Sequence, residues 1–279
     1  MQKDKVKIAW FGKHFGEEPP LVGNKDQGAG GIFFSGCHLK CVFCQNHQIS
    51  HQNIGKEYSI KELSEIMLDL QKQNAINIDL VTPTSWSRQI KEAAEIAKEK
   101  GLKIPIVWNS NAYESPAMIK DLEGIVDIYL PDFKYGLAEI GEKYSGIKKY
   151  PEIAEKAIRE MLHQVGHLKI HDNIAYRGII VRHLVLPNNL ENSKKVLDIL
   201  ANIDNRLFLG LMSQYSPMYD SKDFSEINRQ LTQKEWQEIT KYLEKLEFTN
   251  GWIQDLTSSE IFIPDFTKKD PFKFEHNEK

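Results

Sequence analysis

The sequence predicts an α/β fold with a mainly parallel sheet, on three observations. Apolar, β-prone segments alternate with amphipathic helical segments along most of the chain. The connections between them are short, which is typical of parallel strands joined by helical crossovers. The 279 residues, of which 41% are hydrophobic, suffice for one substantial core. Because only about six strand–helix units can be counted, we expect an open, partial (β/α)6 barrel rather than an eightfold barrel.

The strands are predicted from short apolar runs rich in β-branched and aromatic residues. These runs are residues 31–36, 77–81, 104–108, 126–130, 179–186 and 207–212, with a further short candidate at 251–254. Helices are predicted between them from apolar residues at helical spacing. Two helices begin at capping-box patterns and two at prolines, which are Ser59–Glu62, Thr232–Glu235, Pro116 and Pro151.

We expect residues 1–279 to form one domain. Residues 31–256 would be the barrel core, residues 1–30 an N-terminal cap and residues 257–279 a C-terminal extension. The net charge of −3 gives no basic field, so nucleic acid is not a favoured partner. No apolar run reaches the length of a membrane span or a signal-peptide core. A soluble, cytoplasmic protein without a membrane partner is therefore expected.

The three cysteines are the most informative residues, because all of them lie within eight residues as Cys37-x-x-x-Cys41-x-x-Cys44. Three thiolates can bind three irons of a cubic four-iron cluster and leave the fourth iron without a protein ligand. An open coordination position is typical of a catalytic metal centre rather than a structural one. Gly36 lets the backbone approach such a cluster closely, and Phe43 places an aromatic ring before the third thiolate.

Two other interpretations of the cysteines are weaker. A disulfide needs an oxidising compartment, and the cysteine count is odd. A structural zinc site could be completed by His38, His47 or His51, but zinc sites usually present two ligand pairs on separate segments. No second cysteine pair follows in this chain. An iron–sulfur cluster is therefore the favoured interpretation.

Polar residues follow most of the predicted strands, at the edge where parallel α/β folds bind their ligands. Besides the cysteine loop, they are Thr82–Thr84, Asn109–Asn111, Asp132 with Lys134, Arg182 with His183, and Gln214–Tyr215. Together they predict a lined pocket. Serine, threonine and asparagine are also common in turns and helix caps, so this local alternative stays open for Thr84, Ser110 and Asn111.

Charged residues at these strand ends are more informative. Arg182 lies inside an apolar run, where its charge is costly unless a carboxylate or another anion meets it. Asp132 and Lys134 are two residues apart and face one side of an extended segment, although a surface ion pair is the alternative. His183 is expected to be a core histidine with satisfied hydrogen bonds.

These motifs resemble those of the radical S-adenosylmethionine (radical SAM) enzymes, whose signature CxxxCx(aromatic)C stands here as residues 37–44. Residues 132–134, 181–187 and 211–215 resemble the activating enzymes of glycyl radical enzymes, in particular the pyruvate formate-lyase-activating-enzyme-like branch. The resemblance implies the same partial barrel. It also implies a [4Fe-4S] cluster on Cys37, Cys41 and Cys44 that reductively cleaves S-adenosylmethionine (SAM) to a 5′-deoxyadenosyl radical.

The resemblance implies partners and individual roles as well. The radical would abstract hydrogen from a glycine Cα of a glycyl radical protein, and flavodoxin or ferredoxin would supply the electron. Phe43 would lie beside the adenine of SAM, and Arg182 would face its carboxylate or ribose. Asn109, Asp132 and Lys134 would lie at the SAM site or a nearby cation site.

Two positions depart from the pattern of the activating enzymes. A Gly-Gly-Glu stretch usually follows their second strand and holds the SAM amino group, whereas this chain has Thr82-Pro83-Thr84. We therefore expect Thr82 and Thr84 to bind that group through hydroxyls and backbone carbonyls. Asn109 stands where an aspartate is common. Two alternatives remain, a radical SAM enzyme with a small-molecule substrate and a non-catalytic zinc-binding module.

Overall fold

The computed structural model describes residues 4–256 and 263–272. The strands are β1 Lys5–His14, β2 Ala29–Phe34, β3 Lys56–Ser59, β4 Ile78–Val81, β5 Ile106–Ser110, β6 Ile128–Pro131, β7 Lys169–His171, β8 Ile174–Leu184, β9 Phe208–Met212 and β10 Asn250–Ile253. The helices are α1 Pro19–Val22, α2 His47–Ser50, α3 Ile60–Lys72, α4 Ser87–Glu99, α5 Pro116–Asp121, α6 Ala138–Ser145, α7 Tyr150–Val165, α8 Leu190–Asp204 and α9 Gln233–Glu244.

The strands form one sheet in the order β10-β9-β8-β6-β5-β4-β2-β1-β3, with β7 paired to β8. All neighbours from β10 to β2 in that order are parallel. The predicted α/β class and the partial barrel are therefore confirmed. The candidate strand at 251–254 is β10, which lengthens the parallel part beyond the six predicted strands.

The N-terminal segment contributes more than the expected cap. β1 pairs antiparallel with β2 over most of its length, and β3 pairs with β1 at the sheet edge. α1 then places Leu21 against inward-facing side chains of the parallel strands, among them Val107, Ile128 and Ile180. This brings His14, Glu17 and Glu18 into the barrel interior. The division into core and extensions stays a prediction, and residues 1–3, 257–262 and 273–279 lie outside the described part.

Three helices begin at the local sequence signals that predict them. Ser59 accepts a hydrogen bond from the Glu62 backbone while the Glu62 carboxylate bonds the Ser59 amide, and Thr232 and Glu235 do the same for α9. α7 begins at Tyr150 with proline in its first turn. The helices bury their apolar faces against one side of the sheet in the main core. Within the described ranges, no helix combines the length and apolar character needed to cross a bilayer.

Candidate functional site

A cavity of about 260 Å³ lies at the carboxyl ends of the parallel strands. All but one of the predicted site residues line it, namely Cys37, Cys41, Phe43, Cys44, Thr82, Asn109, Asp132, Lys134 and Arg182. They come from five separate segments of the sequence, and the sheet brings them together because parallel strands all end at the same edge.

The cysteine loop is held in place by its backbone. Gly36 has a φ of +91°, a conformation that only glycine adopts without strain, and the loop turns there from β2 toward the cavity. The amides of Lys40 and Val42 donate to the carbonyls of Ser145 and Tyr144, at 3.3 and 2.9 Å. These bonds fasten the loop to the end of α6. The thiols are therefore presented by a fixed backbone at the cavity wall.

The donor set suits an iron–sulfur cluster. Burial and the neighbouring charge of Cys41 raise the pKa of Cys37, and raise that of Cys44 to about 12. The three thiols lie close enough for their charges to interact, and the positive charge of Lys134 lowers the pKa of Cys37 and Cys44 against this effect. Thiols release their protons when they bind metal. Within residues 4–256 and 263–272, no three His, Cys, Asp or Glu side chains surround a single ion position. A four-iron cluster instead needs thiols on separate irons around a cavity, which this loop provides.

The histidines that could complete a zinc site lie elsewhere. His38 is exposed. The ring of His47 stacks on Tyr219 at 5.0 Å between centroids, and His51 packs on the same ring at 4.9 Å. None of these three described histidines is among the residues that line the cavity.

Arg182 is the centre of a buried ion network below the cysteine loop. Its Nε donates to Asp132 Oδ1 at 2.7 Å, its Nη1 to Glu17 Oε2 at 2.8 Å and its Nη2 to Asn109 Oδ1 at 2.6 Å. Lys134 Nζ donates to the other Asp132 oxygen at 2.8 Å. Carboxylates meet the charge of Arg182, as the sequence predicts. Asp132 and Lys134 line the cavity, so their ion pair is not the surface pair that was the alternative.

The network fixes the charge states of its members. Burial by itself would raise the pKa of Asp132, but Arg182 and Lys134 lower it to about 2. Burial and Arg182 lower the pKa of His14 to about 4, so this imidazole is neutral at physiological pH. Burial raises the pKa of Glu17 even though Arg182 opposes the shift. Asp132 is therefore firmly ionised, whereas the nearby carboxyl group of Glu17 takes up a proton more easily.

Further carboxyl groups lie deeper in the barrel. Asp79 on β4 is buried, and burial together with Glu17 raises its pKa well above the usual value. Glu18 Oε2 lies 3.9 Å from Arg182 Nη1, and burial raises the pKa of Glu18 to about 7. The interior therefore contains more carboxyl groups than Arg182 and Lys134 can neutralise.

This excess predicts a specific pH dependence of stability. The native pKa of Glu18 lies above its unfolded value of 4.5, so its contribution is complete below about pH 4.5 and is lost as pH rises through about 7. We expect the free energy of unfolding of the metal-free protein to fall between pH 5 and 8, and Glu18→Gln to flatten this slope. Urea unfolding at a series of pH values measures it.

The matched control is Glu57→Gln, because Glu57 is 58% exposed and pairs with Lys5 at the surface. This substitution should leave the pH slope unchanged. Equal slopes for wild type, the Glu18 variant and the Glu57 variant would contradict the assignment of a raised pKa to Glu18.

Thr82 and Thr84 behave differently from each other. Thr82 lines the cavity and has a φ of +59°, an unusual conformation for a β-branched residue. The Thr84 hydroxyl instead donates to Glu114 Oε1 at 2.8 Å, beside the indole of Trp108, which donates to the same oxygen. This contact corrects the expectation that Thr84 turns its hydroxyl to the cavity, because the buried Glu114 needs donors. A role of Thr84 in SAM binding stays a prediction.

Aromatic side chains form the remaining walls. Phe43 packs edge-to-face on Tyr215, with 5.7 Å between ring centroids. Phe272, from the described C-terminal stretch, lies 4.4 Å from the His14 ring and lines the cavity. Gln48 ties that stretch to α2, because its Oε1 accepts from the Phe266 amide at 2.7 Å. Residues 263–272 therefore close part of the cavity.

His183 is the core histidine with satisfied hydrogen bonds that the sequence predicts, because its ring nitrogens bond Phe133 O and Ser193 Oγ.

Sequence reasoning missed other residues of the site, among them Asp79 and Glu17. Asp79 carries the same signal as Arg182, a charge inside an apolar strand, and could have been found by it. Glu17 had no such signal, because its segment shows no strand or helix periodicity that would place it in the barrel.

The fold and the three-thiol loop define a class of iron–sulfur enzyme, and the sequence agrees with this. Residues 32–174 match the sequence model of the Radical SAM superfamily. This match covers half of the chain, and the chain belongs to the radical SAM superfamily. Membership implies an enzyme with a [4Fe-4S] cluster and SAM.

The chain is also similar to other proteins, one in sequence and one in fold. An uncharacterized protein of Methanocaldococcus jannaschii is 36% identical over 248 residues, which are 85% of this chain and 66% of that protein. SuiB of Streptococcus suis, solved bound to S-adenosylmethionine, has a TM-score of 0.54 at 12% identity over 81% of this chain and 50% of SuiB. SuiB bound to its precursor peptide SuiA gives 0.54 at 13% identity, over 80% of this chain and 48% of SuiB. This chain therefore spans less than two thirds of each of these two relatives, and its likeness to SuiB is one of fold.

Proposed function

We propose that this protein reductively cleaves SAM and uses the resulting 5′-deoxyadenosyl radical to take a hydrogen atom from a glycine Cα of a partner protein. The observation that carries this proposal is the loop of Cys37, Cys41 and Cys44 at the wall of a cavity that also holds the ion network of Asp132, Lys134 and Arg182. One cavity therefore combines thiol ligands for a cluster with charged side chains that can bind the amino and carboxylate groups of SAM.

Cys37, Cys41 and Cys44 would hold the cluster, which when bound would supply the electron for reductive cleavage of the sulfur–C5′ bond of SAM, giving methionine and the 5′-deoxyadenosyl radical that becomes 5′-deoxyadenosine on taking hydrogen. Lys134 lies close enough to Cys41 and Cys44 for their charges to act on it, so we assign it to the SAM carboxylate. Asp132 stays ionised and suits the amino group. Phe43 offers a ring face to the adenine.

Arg182, Asn109 and Thr82 complete the proposed SAM site. Arg182 is bonded to Asp132, Glu17 and Asn109, so we assign it to keep these groups aimed at the cavity beside the SAM carboxylate or ribose. Thr82 directly follows β4 and lines the cavity, so we assign its hydroxyl and backbone to the SAM amino group. Its strained backbone is consistent with a functional role, because such conformations concentrate at binding sites.

A protein partner is supported by two observations. The motifs at residues 132–134, 181–187 and 211–215 resemble those of activating enzymes. SuiB, whose fold this chain shares over 48% of SuiB, has been solved bound to its precursor peptide, which supports a polypeptide as the substrate class. An external donor of the flavodoxin or ferredoxin type would reduce the cluster, since the chain has no cysteines for a second one. The cytoplasm suits an oxygen-sensitive cluster of this kind.

The test is anaerobic reconstitution with iron and sulfide, followed by SAM and dithionite. We expect about four irons per chain and the release of 5′-deoxyadenosine and methionine in equal amounts. Protein incubated without dithionite is the control and should release neither product. A preparation that binds stoichiometric zinc without iron, or that binds four irons but releases no nucleoside, would overturn the proposal.

The substrate class is tested separately. After incubation with SAM, a reductant and a candidate glycyl radical protein, electron paramagnetic resonance (EPR) should show a glycine-centred doublet in the partner. Nucleoside release that responds to small metabolites while no tested protein acquires the radical would favour the small-molecule alternative.

A further inference from the structure

Each of the three cysteine sulfurs receives a hydrogen bond from a side chain of a different segment. Asn111 Nδ2 donates to Cys37 Sγ at 3.3 Å. Ser145 Oγ donates to Cys41 Sγ at 2.9 Å, and the Ser50 side chain bonds Cys44. These donors come from the loop after β5, the last residue of α6 and the last residue of α2.

The donors are oriented by further contacts. Asn111 Oδ1 accepts from the Tyr113 amide at 3.0 Å, which turns its NH₂ group toward Cys37. The Ser145 hydroxyl lies 2.6 Å from the Tyr135 hydroxyl. The Ser145 proton is directed at Cys41 Sγ, and the Tyr135 side chain bonds both Ser145 and Cys41. A donor that itself accepts a hydrogen bond is strengthened.

A hydrogen bond to a cluster thiolate has a known direction of effect. Reduction adds negative charge to the cluster, and a donor aimed at sulfur stabilises the more negative state. Removing such a donor therefore lowers the reduction potential. Ser145 and Tyr135 are buried, so solvent does not replace the donor readily.

We propose that Ser145, polarised by Tyr135 and acting together with Asn111 and Ser50, sets the reduction potential of the cluster through these three bonds. The inference rests on the proposed function, because it requires the cluster on Cys37, Cys41 and Cys44. The four side chains are positioning residues that act through the thiolates. They determine how readily an external donor reduces the cluster, which then passes the electron to SAM.

The experiment is an EPR-monitored redox titration of the reconstituted protein without SAM. For Ser145→Ala we expect reduction to become less favourable by about tenfold, which for one electron is a shift of about 59 mV to lower potential. Tyr135→Phe keeps the bonds from Ser145, Asn111 and Ser50 but removes the Tyr135 hydroxyl, which bonds both Ser145 and Cys41, so it should shift the potential in the same direction.

The matched control is Ser64→Ala, since Ser64 is buried in α3 and bonds only the Lys61 carbonyl among the hydrogen bonds of the described residues. It should leave the potential unchanged. A cluster that assembles with an unchanged or higher potential in Ser145→Ala overturns the inference and leaves the proposed function intact. If Ser145→Ala cannot bind four irons, the Tyr135→Phe potential decides in the same way. A wild type that assembles no cluster overturns both.

Discussion

Cys41→Ala is expected to reduce the iron of the reconstituted protein from about four per chain to near zero and nucleoside release to background. The physical reason is that three thiolates hold three irons, so a loop with two cannot retain the cubane. Cys41 is the most buried of the three sulfurs and the one bonded by Ser145. Iron and sulfide analysis, with chromatography of 5′-deoxyadenosine, measures the effect. Cys37→Ala and Cys44→Ala should give the same result.

The matched control lies within the same loop. His38 stands between Cys37 and Cys41 and is exposed, so His38→Ala disturbs the loop without removing a proposed ligand. Full iron content and full nucleoside release are expected from this variant. If His38→Ala lost its metal while Cys41→Ala kept it, the assignment of the three thiols as the cluster ligands would be wrong.

Arg182→Met is expected to lower the free energy of unfolding of the metal-free protein by about 3–5 kcal/mol, because it leaves buried carboxylates without their cation. Arg182 is 13% exposed, and its guanidinium bonds Asp132 and Glu17 at 2.7 and 2.8 Å. The loss should be larger at pH 8 than at pH 6, since Glu18 also faces Arg182 and its pKa, raised to about 7, lets it take up a proton as the pH falls. Urea unfolding at both pH values measures it.

Two controls separate this effect from a general loss of charge. Arg206 pairs with Asp204 at the surface and is 67% exposed, so Arg206→Met should cost far less stability than Arg182→Met. Adding Glu17→Gln to the Arg182 variant should recover part of the lost stability, because it removes one uncompensated charge. Equal losses from the Arg182 and Arg206 variants, with no recovery in the double variant, would contradict the buried network.

Much of the fold followed from local patterns. The capping boxes at Ser59 and Thr232 and the apolar stripes predicted helices that the structure contains, because a cap and a periodic face depend on neighbours three or four residues away. β1 was not predicted, although it is ten residues long. Its alternation is interrupted by aromatic and charged residues, and its pairing with β2 and β3 makes it a strand.

The candidate site could likewise be predicted only in part from the sequence. Residues at the ends of parallel strands could be predicted to converge, and most of them line the cavity, because topology alone sends those ends to one edge. The orientation of a side chain could not be predicted. Thr84 and Thr82 are two residues apart, but Thr84 turns to the buried carboxylate of Glu114 while Thr82 stays at the cavity.

The spacing of Cys37, Cys41 and Cys44, and the cost of a charge in the apolar run around Arg182, were determined by the sequence itself, since both act over a few residues. Which carboxylates meet Arg182 was decided only by the tertiary structure. Glu17 is 165 residues away in the chain, and α1 brings it into the barrel by packing Leu21 against the inner strands. Such a contact depends on the complete barrel, because the burial that makes the ion pair strong exists only after the strands have assembled.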